Sequence, residues 1–170
     1  MVLVVGLIVR NSFAAGSSSI GAGEEKTVLA DAIASKELNK EAPVVITDEN
    51  GEDLKGVKMK IDNVELRGEI IVKGQKATSV AGRGFLVVNI KLINELEQAV
   101  EIQTKDYFRL GENGTDKEWL APDIHNDPVL VQAISTKPTR IAFPVNVNTR
   151  KFILQIGEIT GNKEKVEVDL

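Results

Sequence analysis

The chain contains no cysteine, and that single absence excludes disulfides, thiolate metal sites, cysteine nucleophiles and a lipidated N-terminal Cys together. Its 170 residues suffice to bury one core without covalent staples. Histidine occurs once, at His125, so no second imidazole can complete a histidine-based metal site. Basic residues are not in excess, 21 Lys and Arg against 25 Asp and Glu, and they are scattered, which excludes a phosphate-tracking nucleic-acid surface. Ser, Thr and Lys are plentiful, but none stands in the spacing of a nucleophile elbow or a phosphate-binding loop. The expectation is therefore a protein that is not an enzyme and carries no catalytic residue, metal or cofactor.

Long hydrophobic runs are also missing: the apolar stretch Met1 to Val9 falls far short of the ~20 residues that span a bilayer. Val2, Leu3, Val4, Val5, Leu7, Ile8 and Val9 form a segment as long as the core of a signal peptide. Ser12-Phe13-Ala14 followed by Ala15 offers the small residues of a cleavage site, although a basic leader before the run is missing. The segment reads as an anchor or signal remnant, the other reading being a buried first strand or helix of the fold. The stretch Ala15 to Gly23, rich in Gly and Ser, reads as a flexible tether. An anchor plus a tether implies a body working at or beyond a membrane, hence an extracytoplasmic, secreted or cell-surface location.

Residues 24–56 are expected to be an extension. Val28, Leu29, Ala32 and Ile33 recur at helical spacing after Glu24 and Glu25, which predicts a short amphipathic helix from Glu24 to Leu38. Pro43 to Thr47 reads as a strand, closed by the acidic turn Asp48 to Asp53 around Asn50-Gly51. That hexad lacks the alternating oxygen ligands and distant Glu of a calcium loop, so it reads as a solvated turn.

From Val57 to Leu170 the pattern is that of strands. Leu86, Val88, Ile90 and Leu92 alternate with Asn89 and Lys91, as a half-buried strand requires. Val57, Met59 and Ile61 also alternate, and the phase then slips to Val64 and Leu66, which predicts a bulge near Asp62-Asn63. Ile70 to Val72 precedes an expected polar loop ending at Gly84. Further strands are expected at Ala99 to Gln103, Asp106 to Leu110, around Ile141, Phe143, Val145 and Val147, at Phe152 to Ile156, and across Val166, Val168 and Leu170. Pro144 places its strand at an edge or with its nitrogen outward. Leu86, Val88, Ile90, Leu92, Phe143, Val145, Phe152, Leu154 and Ile156 should share one core. Many short strands at regular intervals predict an all-β fold, a Greek-key sandwich of two antiparallel sheets.

The order Gly84-Phe-Leu-Val-Val-Asn-Ile-Lys-Leu-Ile-Asn94, then Asp106 to Leu110, then Ala142 to Val145, then Phe152 to Glu158 with a closing Val-Glu-Val-Asp-Leu resembles a known family. It is the secreted immunoglobulin-like family catalogued as a domain of unknown function, which includes bacterial and archaeal lipoproteins and a mycobacterial immunoprotective antigen. The likeness covers residues 57–170 and rests on packing motifs. It implies an immunoglobulin-like, extracytoplasmic, non-enzymatic domain and carries over no catalytic residue. The chain departs from the pattern in lacking the lipobox Cys and in reading Lys137-Pro138-Thr139 where a glycine-centred turn is usual.

Three features could carry chemistry. His125 lies between Asp123 and Asp127, a set able to hold a metal or act as general base, but one imidazole in one loop reads as surface decoration. Trp119, the single tryptophan, reads as the plug at one end of the core, the functional reading being a ligand-stacking aromatic. Asn113-Gly114-Thr115 is a glycosylation sequon at an expected loop tip, and an Asn-Gly turn explains it without glycan. Two function classes follow. One is a tethered or secreted binding or accessory domain that recognises a protein or envelope component through loops at one end of the sandwich. The other is a subunit of a surface filament, pilin-like, flagellin-like or strand-donating, that self-associates through its N-terminus. Neither involves nucleic acid, and both allow membrane contact by the N-terminal segment.

Overall fold

The computed structural model describes residues 28–48 and 50–170; the expected anchor Met1 to Val9, the tether, and residues 24–27 of the expected helix lie outside them. Thirteen strands are present among the described residues. The first seven are β1 (Ala34–Pro43), β2 (Ile46–Thr47), β3 (Asp53–Leu54), β4 (Val57–Arg67), β5 (Glu69–Val72), β6 (Gln75–Thr78) and β7 (Arg83–Asn94). The remainder are β8 (Val100–Ile102), β9 (Phe108–Glu112), β10 (Val129–Val131), β11 (Ser135–Asn146), β12 (Lys151–Ile156) and β13 (Glu164–Asp169), with a 3-10 turn at Thr104–Tyr107. One sheet runs β1-β4-β7-β11 and the other β13-β12-β9, and β10-β8 form a separate two-stranded pair whose Val100, Ile102, Val129 and Val131 join the same core. Every pairing is antiparallel.

The alternation in β7 fixes the core. Leu86, Val88, Ile90 and Leu92 are at most 2% exposed and stand opposite Leu66, Val64, Ile61 and Met59 of β4. Phe143 and Val145 of β11 join them, and Phe152, Leu154 and Ile156 of β12 face them from the other layer, so all the expected core residues fall in one cluster. The expected bulge is in place: the β4-β7 register skips between Ile61 and Asn63, which returns Val64 and Leu66 to the inner face. On β11, Ala142 gives its N–H to, and accepts from, Ile124 off the sheet edge. Pro138 and Pro144 share that parity, so their missing N–H groups cost the ladder nothing.

Three expectations are corrected. Residues 28–33 are irregular and Ala34 to Leu38 open β1 instead of closing a helix. Ala34, Leu38 and Ala42 are four apart, a spacing that shares one face of a helix and one face of a strand alike. The antiparallel partner β4 decides between them, because a short helix without tertiary packing is marginal. The sandwich thus begins at β1, well before the expected boundary at Val57. Lys137 to Thr139, which stand where the resembled family has a glycine-centred turn, lie inside β11. The expected strand from Asp106 starts as the 3-10 turn, and only Phe108 onward is extended.

The stretch read as a polar loop before Gly84 holds a hairpin, β5-β6, turning at Lys73 (φ 49) and Gly74 (φ 78). Its Ile70 packs with Val87 and Ala142 in a second small cluster on the outer face of the main sheet. Open edges are guarded. β1 carries Pro43, a register break between Glu37 and Lys40, and Asn39 at φ 46, all of which obstruct strand addition.

Candidate functional site

One end of the sandwich gathers three segments distant in sequence: Val44 to Ile46, the 3-10 turn, and the β12-β13 turn (157–163). Gly157 makes the last possible. Its φ is 137 and a Cβ there would run into the Asn162 carbonyl oxygen, so only glycine lets the chain fold this tightly. Its N–H donates to the Tyr107 carbonyl at 2.9 Å, tying the turn to the 3-10 segment. That segment is in turn held by Asp127, whose side chain is 1% exposed. The carboxylate accepts from Thr104 N–H (2.8 Å), the Thr104 hydroxyl (2.6 Å) and Lys105 N–H (2.7 Å).

Tyr107 is the centre of this end. It is 8% exposed, and its hydroxyl donates to the Val45 carbonyl at 3.0 Å, with Glu158 Oε1 at 3.5 Å. Burial first, and the Glu158 carboxylate second, push the phenol up to about 12. The fold therefore favours the neutral phenol. The stability this provides is complete below the ordinary value of 10 and is lost as pH rises through about 12. Tyr107 is the single tyrosine, so the phenolate absorbance of the folded chain should rise with a midpoint near 12; a midpoint of 10 would place the phenol in water.

Three adjoining concavities surround this end. The first, of 350 Å³, lies between Val45, Ile102, Tyr107 and Ile159, with Glu101, Asp106 and Glu158 at its walls. The second, of 450 Å³, shares Val45 and Glu158 and continues past Pro43 to Lys163. The third, of 190 Å³, shares Asp106 and Ile159 with the first and is walled by Arg109, Trp119 and Gln155. Val45 and Ile159 are 39% and 51% exposed, apolar groups left facing water at the mouth.

The sequence-predicted features are placed as follows. His125 and Asp127 meet, with His125 Nδ1 accepting from the Asp127 N–H at 3.3 Å, while Asp123 is exposed and bonds through its N–H to Ala142. Among the described residues no group of three or more His, Cys, Asp or Glu could hold a metal ion. Asp48 spends its carboxylate on its own turn, accepting from Asn50 and Glu52 N–H, and the Glu52 bond leads in holding its carboxyl below the usual range. Asn113 (φ 57) and Gly114 (φ 67) form a tight exposed turn closed by Thr115 N–H to Glu112 O. Both central residues sit at positive φ, the requirement Asn-Gly meets.

Trp119 is corrected: it does not plug the core. It is half-buried on the outer face of the β13-β12-β9 sheet, against Gly111, with the Lys165 ammonium 5.7 Å above its ring. Gly111 admits no side chain because a Cβ would strike the Thr115 carbonyl oxygen, and the bare backbone is what lets the indole lie there. Sequence reasoning missed Val45, Tyr107, Glu158 and Ile159 as a set. The available signals were Val44-Val45-Ile46, an apolar triplet that breaks alternation, and an Ile placed within a turn.

No family model and no curated protein matches the chain. Solved structures do. A conserved hypothetical protein from Bacillus anthracis superposes with a TM-score of 0.53 at 10% identity, over 78% of this chain and 96% of that one. An uncharacterized β-sandwich protein from Clostridium difficile gives 0.51 at 16% identity, over 78% and 97%. At such identities the likeness establishes fold alone, and the class is the antiparallel β-sandwich. Among the described residues no helix is long and apolar enough to cross a membrane.

Proposed function

We propose that the protein is a non-enzymatic, extracytoplasmic immunoglobulin-like binding domain of the family it resembles, tethered at or secreted from the cell surface. Its ligand is a protein or envelope component, bound at the end where the β12-β13 turn meets Tyr107. The observation that carries this reading is the set of three adjoining concavities at that end, with Val45 and Ile159 left exposed at their mouth. A rigid sandwich presenting a recessed surface on loops is the usual way such a fold recognises a partner.

The test uses the full chain and a variant lacking Met1 to Gly23, both expressed in the source cells. The full chain should be cut by protease added outside intact cells, and the truncated chain should be retained and protected. The truncated chain should also purify as a folded monomer, because the described residues form a closed hydrophobic core of their own. Equal protection of both chains would refute the extracytoplasmic reading. A truncated chain that fails to fold would show that residues 1–23 belong to the sandwich.

A further inference from the structure

The first concavity carries charge of one sign: among the described residues Glu101, Asp106 and Glu158 line it, and no Lys, Arg or His does. Six carboxylates elsewhere, Asp62, Glu65, Glu69, Glu95, Asp116 and Glu164, each meet a Lys or Arg. Among the described residues none of the three groove carboxylates takes part in an ion pair. Among the described residues the one side-chain bond any of them makes is that of Glu158 with the Tyr107 hydroxyl. The carboxylates are spread around the walls and are not gathered as a metal-ligand set, so the complementary charge is a cation with its own organic body. Val45 and Ile159 supply exposed apolar surface beside them, which suits an aliphatic stem and its neighbours.

We propose that this groove binds a basic segment of a partner protein, with a Lys or Arg side chain seated among Glu101, Asp106 and Glu158 and an adjacent apolar residue packed on Val45 and Ile159. The proposal rests on the reading of this end as the ligand site and names the chemistry of what it takes. Negative potential concentrated in a recess attracts such a segment, and the apolar contact holds it. The basic groups nearby line the adjoining concavities, Arg109 the third and Lys163 the second and third: Arg109 gives its guanidinium to the Lys105 and Phe108 carbonyls, and Lys163 donates to the Ile159 carbonyl at the rim of the first. Both spend their donors on backbone carbonyls and neither pairs with Glu101, Asp106 or Glu158.

The experiment titrates the full chain with the blocked tripeptide Leu-Lys-Leu and follows backbone amide shifts, with norleucine or Glu in the central position as controls and spermidine as a free amine. The lysine peptide should shift Val45, Ile102, Tyr107 and Ile159 with an affinity about tenfold above that of the norleucine peptide, and added salt should erase the difference. Glu158→Gln and, separately, Glu101→Gln should each weaken it about fivefold. Glu101 is exposed, so its variant keeps the test valid if Glu158→Gln disturbs the turn. Equal binding of the norleucine or Glu peptide at the same residues would overturn the cationic preference while leaving this end as a ligand site. Spermidine matching the peptide would overturn the choice of a protein partner. Shifts confined to other surfaces, or none with any probe, would overturn both the proposal and the site.

Discussion

Phe143→Ala is expected to lower the free energy of unfolding by about 3–5 kcal/mol, the range for emptying a buried phenylalanine site. Phe143 has no exposed surface and stands opposite Leu86 in the β11-β7 ladder. Leu86 is in turn opposite Leu66 of β4, so the three side chains form a row across the main sheet. The sheet backbone fixes their spacing, and the facing Phe152 and Leu110 belong to a layer with its own ladder. Neither layer can close the void without breaking hydrogen bonds, and the cavity cost therefore adds to the lost transfer energy. The urea midpoint should fall with the denaturant slope unchanged. An unaltered midpoint would mean that β11 does not close the core.

Asp127→Ala is the second large effect, expected to cost roughly 3 kcal/mol by removing charge-assisted bonds and leaving buried donors unpaired. Its carboxylate is the common acceptor for Thr104 N–H, Thr104 hydroxyl and Lys105 N–H. Thr104 is fully buried, so water cannot take over. The damage should spread from the 3-10 turn to Tyr107 and the groove it floors. Hydrogen exchange should show faster amides at Thr104 and Lys105 and also at Gly157, which bonds to the Tyr107 carbonyl. Loss of protection confined to the loop around His125 would refute this coupling.

The parts of the fold legible in the sequence are those whose two faces differ. β7, β11 and β12 alternate because one face meets the core, and the slip at Asp62-Asn63 betrays a bulge because alternation resumes out of phase. β1 was hidden because its inward positions include Lys36 and Lys40, at the margin of the core; Lys40 reaches Glu164 on the opposite layer. Local pattern there fits helix as well as strand, and only pairing with β4 decides. β6 was hidden by polar residues on a surface hairpin and by Lys73, a non-glycine residue at positive φ. The misplacement of Trp119 has a different cause. A lone large aromatic in an all-β chain reads as core, whereas the glycine that seats it outside, Gly111, reads only as a small residue in a strand. The groove was illegible because Val45, Tyr107 and Glu158 are brought together by the fold alone, each being unremarkable in its own segment.

Ligand binding at the end built around Tyr107 is decided by amide hydrogen exchange of the full chain, with and without the cell-envelope extract of its source. Binding there should add protection at Val45, Ile102, Tyr107 and Ile159 with the strands of the main sheet unchanged. Protection appearing along the edge of β1 or around the Asn113-Gly114 turn, with these four amides unaffected, would contradict it.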